Sequence, residues 1–219
     1  MLPHSTGSAD APFRRAPAML GSTHHQMRMN DLVAALARTL AARPRAVLAL
    51  PETTASAVLV PLLAVDGEPS LLFTRRSQLL PHHQGQVAFP GGRHQDGDVD
   101  LATTALRETE EEIGLPPANV RVLGALDDIE TVSTRFVITP YVGVIPHPYE
   151  FRACAREVDA IFTVPLRALQ APGAERRELW DFDGRRVPID TFPVEGHVIW
   201  GATQRITRNL LHLLAAQDR

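Results

Sequence analysis

The chain has 219 residues, 44% of them hydrophobic, which is enough for one good core and for one domain or at most two. Its formal net charge of −3 supplies no field for nucleic acid or a membrane surface, and its 22 basic residues are all arginine. Without lysine, a Walker-type phosphate loop and Schiff-base chemistry are excluded, so an anionic substrate must be held by arginine, backbone amides or metal.

Residues 1–26 mix Pro, Ser, Gly, Ala and His with little periodicity, and are expected to form a disordered tail ahead of a single domain over 27–219. The tail lacks an apolar run of the length a signal peptide or anchor needs, and no later stretch reaches the roughly eighteen apolar residues of a membrane span. The pair His24-His25 reads as incidental. Leu32, Val33, Leu36, Ala37 and Leu40 recur at helical spacing and predict a helix over 30–43, with Asn30 as cap and Pro44 as stop, lying outside the catalytic core.

Apolar runs at 57–65 and 70–75 flank Asp66-Gly67 and read as a β-hairpin. A loop over 76–86 follows, then a short strand at 86–89 that feeds a glycine turn at Pro90-Gly91-Gly92. Beyond it, 101–113 is free of proline; Asp98 or Asp100 can cap it, and Gly114 with Pro116 and Pro117 stops it. Strands are expected at 120–126 and 135–145, the second bulged or at a sheet edge because of Pro140, with the polar run Asp127-Asp128-Ile129-Glu130 between them. The run 162–166 leads into a short helix near 167–169. Segments 178–182 and 186–191 flank Asp183-Gly184 as a second hairpin, 197–201 is a last strand, and 203–216 is a closing helix. Mixed strands with helices at the centre and the end predict an α/β fold, a sheet sandwiched between helices. The one cysteine, Cys154, can form neither an internal disulfide nor a cysteine-based zinc site, which fits a reducing, cytoplasmic setting.

The stretch 89–115 organises the rest. Projected at about 100° per residue, its helix places Leu101, Ala102, Ala105, Leu106, Thr109 and Ile113 on one arc, with Glu108, Glu111 and Glu112 crowded on the adjacent edge and Glu110 on the far side. Like charges so placed repel and raise one another's pKa unless a cation neutralises them, and an oxygen-only set favours Mg²⁺ or Mn²⁺. A bare Glu-Glu-Glu is usually a solvated face. Here Arg107-Glu108-x-x-Glu111-Glu112-x-Gly114-Leu115, with Gly92 fifteen residues before Arg107, resembles the signature of the Nudix hydrolases. The gap after Gly92 is one residue longer than in that family, Asp98 stands where the upstream Glu is expected, and Thr109 replaces an aliphatic residue. The longer gap, together with Leu72-Phe73-Thr74-Arg75-Arg76-Ser77, Gly85 and Phe89-Pro90-Gly91-Gly92, resembles the coenzyme A diphosphatases of the family, although Pro81 stands where their pattern has a second Arg.

The resemblance implies a Nudix α/β/α sandwich with a mixed sheet and a metal-dependent cleavage of a diphosphate in coenzyme A or its thioesters. The alternatives are another nucleoside diphosphate derivative, such as ADP-ribose or a dinucleotide, and a non-catalytic ligand sensor. It implies Glu108 and Glu112 as ligands of Mg²⁺ or Mn²⁺, Glu111 as a further ligand or the base, and Arg107 as the orienter of a neighbouring carboxylate. Glu130, Glu150 and Glu157 are candidates for a base from a later loop. Arg75 and Arg93, with the main chain of Gly91 and Gly92, are the expected substrate contacts; Arg76 flanks the same turn. His82-His83 read as a solvated pair, and Tyr141, Trp180 and Trp200 as core aromatics. The partner set is then a small-molecule substrate, without nucleic acid or membrane, and a homodimer is left open.

Overall fold

A computed structural model describes residues 29–131, 135–182 and 184–216. The tail expected at 1–26 lies outside the described residues. Among the described residues there are four α-helices: α1 (Met29–Ala42), α2 (Leu101–Ile113), α3 (Leu166–Gln170) and α4 (Gly201–Ala215). Eight strands form one mixed sheet: β1 (Thr54–Val65), β2 (Glu68–Arg76), β3 (Val87–Ala88), β4 (Gly91–Arg93), β5 (Arg121–Ala125), β6 (Ile129–Glu130), β7 (Phe136–Val144) and β8 (Val158–Pro165). The central order is β3-β2-β1-β7-β5, with β8 on β2, β4 on β1 and β6 on β7. The β1–β7 pair is parallel and the others are antiparallel. A second, three-stranded sheet holds β9 (Arg176–Phe182), β10 (Arg185–Val194) and β11 (His197–Trp200) in the order β11-β10-β9.

Strand periodicity explains the layering. On β1 and β2, Leu59, Leu63 and Leu72 point to one face, where they meet Ile113, Leu115 and Ile145. Their neighbours Val60, Leu62, Leu71 and Phe73 point to the other face and join α1 and α4. Near-continuous burial along β1 follows, since both faces are covered. Phe73 is fully buried, its ring 4.7 Å from Phe89 and 5.8 Å from Phe162. The architecture is the α/β sandwich read from the sequence, with helices on both faces of a mixed sheet. Asp66 and Gly67, at φ 50° and 82°, make the tight turn of the β1–β2 hairpin as expected.

Three local expectations are corrected. Helix α1 does not lie apart: Leu32, Val33, Leu36 and Leu40 are buried in the principal core. Its amphipathic stripe gave the helix, but a stripe alone does not say which layer it covers. Pro140 puts β7 neither at an edge nor into a bulge; β7 lies between β1 and the strands β5 and β6, and the register shift falls in β5 between Val122 and Gly124. A missing N–H is tolerated there because the chain opposite leaves the ladder between Ala125 and Ile129. In that gap Asp128 accepts from Thr139 Oγ1 at 2.7 Å, from the Leu48 amide at 2.9 Å and from Arg45, while Asp127 accepts from the Ala46 amide at 2.8 Å. Finally, Gly91-Gly92 is not a turn but part of β4, antiparallel to β1, with Gly91 opposite Val58 and Gly92 opposite Ala57.

Candidate active site

The glycines allow two surfaces to approach more closely than side chains permit. A β-carbon on Gly91, whose φ is +151°, would lie 2.3 Å from the Ala57 carbonyl oxygen, so the strand pairing requires glycine. One on Gly92 would lie 2.3 Å from a carboxylate oxygen of Glu108. The bare backbone of β4 is therefore the floor on which the acidic edge of α2 rests. Helix α2 is fixed at both ends. Asp100 accepts from the Thr103 amide at 2.7 Å at its N-terminus, and Gly114 turns left-handed at φ 68° at its C-terminus. Asp100 rather than Asp98 is the cap, which frees Asp98 for another task.

That task is Arg107. Its Nε donates to Asp98 Oδ1 at 2.9 Å and its Nη2 to Asp98 Oδ2 at 3.0 Å, a bidentate pair. Its Nη1 donates to Glu108 Oε1 at 2.9 Å and, at 3.3 Å, to Glu111, and Nη2 also reaches the Arg93 carbonyl at 3.1 Å. Asp98 is held well below the usual carboxylate range, first by this guanidinium and also by Thr104, and Arg107 is raised in turn by Asp98. One arginine thus ties the loop after β4 to the first turns of α2 and fixes where the Glu108 carboxylate points.

The three motif glutamates do not share one environment. Glu112 is buried, 4% exposed, on the docked face of α2, and one of its oxygens accepts from the Gly91 amide at 3.3 Å. Burial pushes its carboxyl up to about 8, opposed by the nearby charge of Arg76 and by the Gly91 hydrogen bond and reinforced by Glu157 and Glu108. Glu108 is raised as well, chiefly by burial, against the pull of Arg107. Glu111, expected on the same crowded edge, has its side chain 57% exposed and leans on Arg107 at i,i+4 spacing. Glu110 is exposed, on the side away from the others. The wheel gave the order of the residues around the helix but not the depth at which each one sits.

Strand alternation separates the two arginines of β2. Arg76 follows Leu72 and Thr74 on the α2 face and acts electrostatically on Glu112. Arg75 follows Phe73 on the opposite face, where its charge bears on His197. The structure does not bring Arg75 to the glutamates. Arg93 places its guanidinium 5.8 Å from the centre of the Phe136 ring, so only its carbonyl takes part in the Arg107 network.

Of the three acids in later loops, Glu157 is carried to the site. The segment 149–158 closes over the end of α2: the Tyr149 hydroxyl donates to the Gly114 carbonyl at 3.0 Å, the Arg152 amide to Ile113 at 2.9 Å and the Cys154 amide to Glu112 at 2.8 Å. The Glu157 carbonyl then accepts from the Ser77 amide at 2.8 Å, and its carboxylate acts on both Glu108 and Glu112. Glu130 sits on β6, where its carbonyl accepts from Arg205 at 2.7 Å. His82 and His83 are exposed, and Trp180 packs 5.1 Å from Trp200 on the small sheet.

Among the described residues no group of three or more His, Cys, Asp or Glu side chains is placed to hold a metal ion by itself. The donor set nonetheless fits a small hard cation. Mg²⁺ is commonly bound through one or two carboxylates, with water and substrate phosphate completing the octahedron. Glu108 and Glu112 supply two such carboxylates, and a buried one whose charge is so disfavoured gains most from a divalent partner.

A family model described as the NUDIX domain matches residues 53–183. The uncharacterized Nudix hydrolase NudL of Escherichia coli strain SMS-3-5 is 41% identical over 159 residues, covering 71% of this chain and 80% of that protein. The NudL of Shigella boydii serotype 18 aligns with the same identity and coverage. The crystal structure of a MutT/nudix family protein from Enterococcus faecalis superposes with a TM-score of 0.53 at 16% identity, covering 78% of this chain and 66% of that one, a likeness of fold.

Proposed function

We propose that this chain, which belongs to the Nudix hydrolase family, hydrolyses a diphosphate linkage in a nucleoside-diphosphate-linked metabolite, with Mg²⁺ or Mn²⁺ bound by Glu108 and Glu112. The observation that carries this reading is the buried Glu112 carboxylate, pushed up to about 8, facing Glu108 across a glycine floor. A carboxyl whose ionised form is so disfavoured by burial is the kind of group whose ionisation a bound cation favours. A bound divalent cation neutralises phosphate oxygens and acidifies water. The chain's own residues do the rest. Arg107 keeps the Glu108 carboxylate in one orientation by anchoring it to Asp98. Arg76 presents positive charge to the incoming diphosphate on the face of Glu112. The bare backbone of Gly91 and Gly92 lets both carboxylates lie against β4, at the edge where the phosphate is to meet the main chain. Glu111 or Glu157 accepts the proton of the attacking water; both border the pair and neither is buried.

Within this class the motif at 72–92 favours coenzyme A or its thioesters, giving 4′-phosphopantetheine species and adenosine 3′,5′-bisphosphate. Pro81, standing where that motif has an arginine, favours the second reading, ADP-ribose or a dinucleotide. The glutamates and glycines ask only for a diphosphate. A panel of coenzyme A, dephospho-coenzyme A, ADP-ribose and NADH, each with Mg²⁺ and with Mn²⁺, tests both levels. The expected result is cleavage at the diphosphate with the highest kcat/KM on coenzyme A. Equal or better kcat/KM on ADP-ribose overturns the coenzyme A reading, and no cleavage of any of them overturns the hydrolase reading.

A further inference from the structure

The small sheet β9–β11 leaves an edge uncovered. No other strand pairs with the outer side of β9 among the described residues. Of the eight large hydrophobic side chains exposed among those residues, four lie on this sheet: Leu179 at 66%, Phe182 at 43%, and Val187 and Val198 at 38%. Leu179 is the most exposed of them, at the middle of β9. An unprotected strand edge next to exposed apolar side chains is a pairing surface.

The direction of the free hydrogen-bonding groups follows from the β9–β10 register, in which Leu179 stands opposite Pro188. Antiparallel pairs alternate between those that exchange both N–H···O bonds and those that exchange none, and proline has no N–H to give. Leu179–Pro188 is therefore a pair without hydrogen bonds. The N–H and C=O of Leu179 turn outward, and by the same alternation so do those of Arg177 and Asp181.

We propose that β9 pairs with the β9 of a second copy of this chain, antiparallel about a two-fold axis through Leu179. In that register Leu179 faces Leu179, Arg177 faces Asp181 and Asp181 faces Arg177. All the outward backbone groups of these three residues find partners, and two opposite-charge pairs flank an apolar centre. The strand is thus complementary to itself in backbone, charge and apolar surface. Arg177 also binds Asp190, directly opposite it on β10, through bonds of 2.7 and 2.9 Å, and Asp181 accepts from the Gly184 amide at 2.8 Å, so both side chains are already anchored within their own chain. The two small sheets become one continuous six-stranded sheet, and the active-site face of α2 takes no part in the contact.

Sedimentation equilibrium of the full chain tests the assignment. The wild type is expected at twice the mass of its 24.0 kDa chain, dissociating on dilution. Leu179→Pro removes an outward N–H that β10 does not use, so it should raise the dissociation constant at least tenfold while leaving the far-ultraviolet spectrum and turnover unchanged. Asp181→Arg and Arg177→Asp should each be monomeric alone, since each sets like charges opposite one another, and should form a heterodimer when mixed. A wild type that stays monomeric up to about 100 μM overturns the proposal, as does a Leu179→Pro dimer of undiminished affinity. A chain that dimerises only after removal of residues 1–28 assigns the edge to the protein's own N-terminal segment and overturns the second-copy assignment.

Discussion

Replacing Glu112 by Gln in the metal-free protein should stabilise it, by an amount that grows with pH. Glu112 is 4% exposed and its carboxyl is raised from 4.5 to about 8, chiefly by burial. Between those two pH values the folded chain holds a proton that the unfolded chain has already released. Stability contributed by the protonated form is thus complete below about pH 4.5 and is lost as pH rises towards 8, at roughly 1.4 kcal/mol per pH unit for one proton. Over the full interval this amounts to about 5 kcal/mol, an upper bound, yet a large part of a typical domain stability of about 5–15 kcal/mol. Glutamine keeps the shape, the helix propensity and an acceptor for the Gly91 amide, but has nothing to ionise. In urea unfolding with a chelator present, wild type and Glu112→Gln should be nearly equal at pH 5 and differ by several kcal/mol at pH 8, the variant being the more stable. Adding Mn²⁺ at pH 8 should close the gap by stabilising the wild type, with little effect on the variant. Parallel stability curves for the two proteins, or a variant less stable than wild type at pH 8 without metal, would refute the reasoning that Glu112 is a buried charge awaiting a cation.

Two further predictions concern turnover. Glu108→Gln should lower kcat by roughly 10²-fold or more while Glu110→Gln stays close to wild type, measured on the best substrate of the panel; comparable small effects at both positions would mean that the acidic run is an ordinary solvated face. Arg76→Gln should reduce kcat/KM by at least about tenfold, the scale of one hydrogen bond to a charged group, and Arg75→Gln much less, because only Arg76 shares the face of Glu112; the reverse order would show that the strand alternation has been misassigned.

Local signals in the sequence gave most of the fold. Helix α2 begins and ends where its cap, its proline-free run and Gly114 put it, and the β1–β2 hairpin turns at Asp66-Gly67, because these features act within a few residues of the place they specify. What failed was placement among layers. The stripe on α1 predicts a helix but not its membership of the main core, and Pro140 predicts a bulge or an edge because what makes it tolerable inside the sheet is a gap between β5 and β6, at Leu126 to Asp128, more than ten residues away along the chain. Glycine carried a similar ambiguity. Gly91-Gly92 signals a tight backbone approach in any context, and whether that approach is a turn or a strand pressed against β1 and Glu108 is decided by its neighbours in space.

The candidate site divides along the same line. Arg107, Glu108 and Glu112 lie on one short helix, so their spacing alone placed them on one edge, whereas depth within the core, which sets Glu112 apart from Glu111, arises from the docking of α2 against β4. Arg75 and Arg76 are adjacent in sequence, and a period of two puts one of them behind the sheet; which one depends on the face that α2 covers, and β2 is buried on both faces, so only the contact of Leu72 with Ile113 decides it. Glu157 is different in kind. It reaches the glutamates because the free carbonyls at the end of α2, those of Glu112, Ile113 and Gly114, are satisfied by the segment 149–158, which in capping the helix delivers a carboxylate to its acidic edge. The same hydrogen bonds that finish the helix therefore bring Glu157 to the candidate site, and no spacing within the motif could reveal them, because the capping groups lie some forty residues further along the chain.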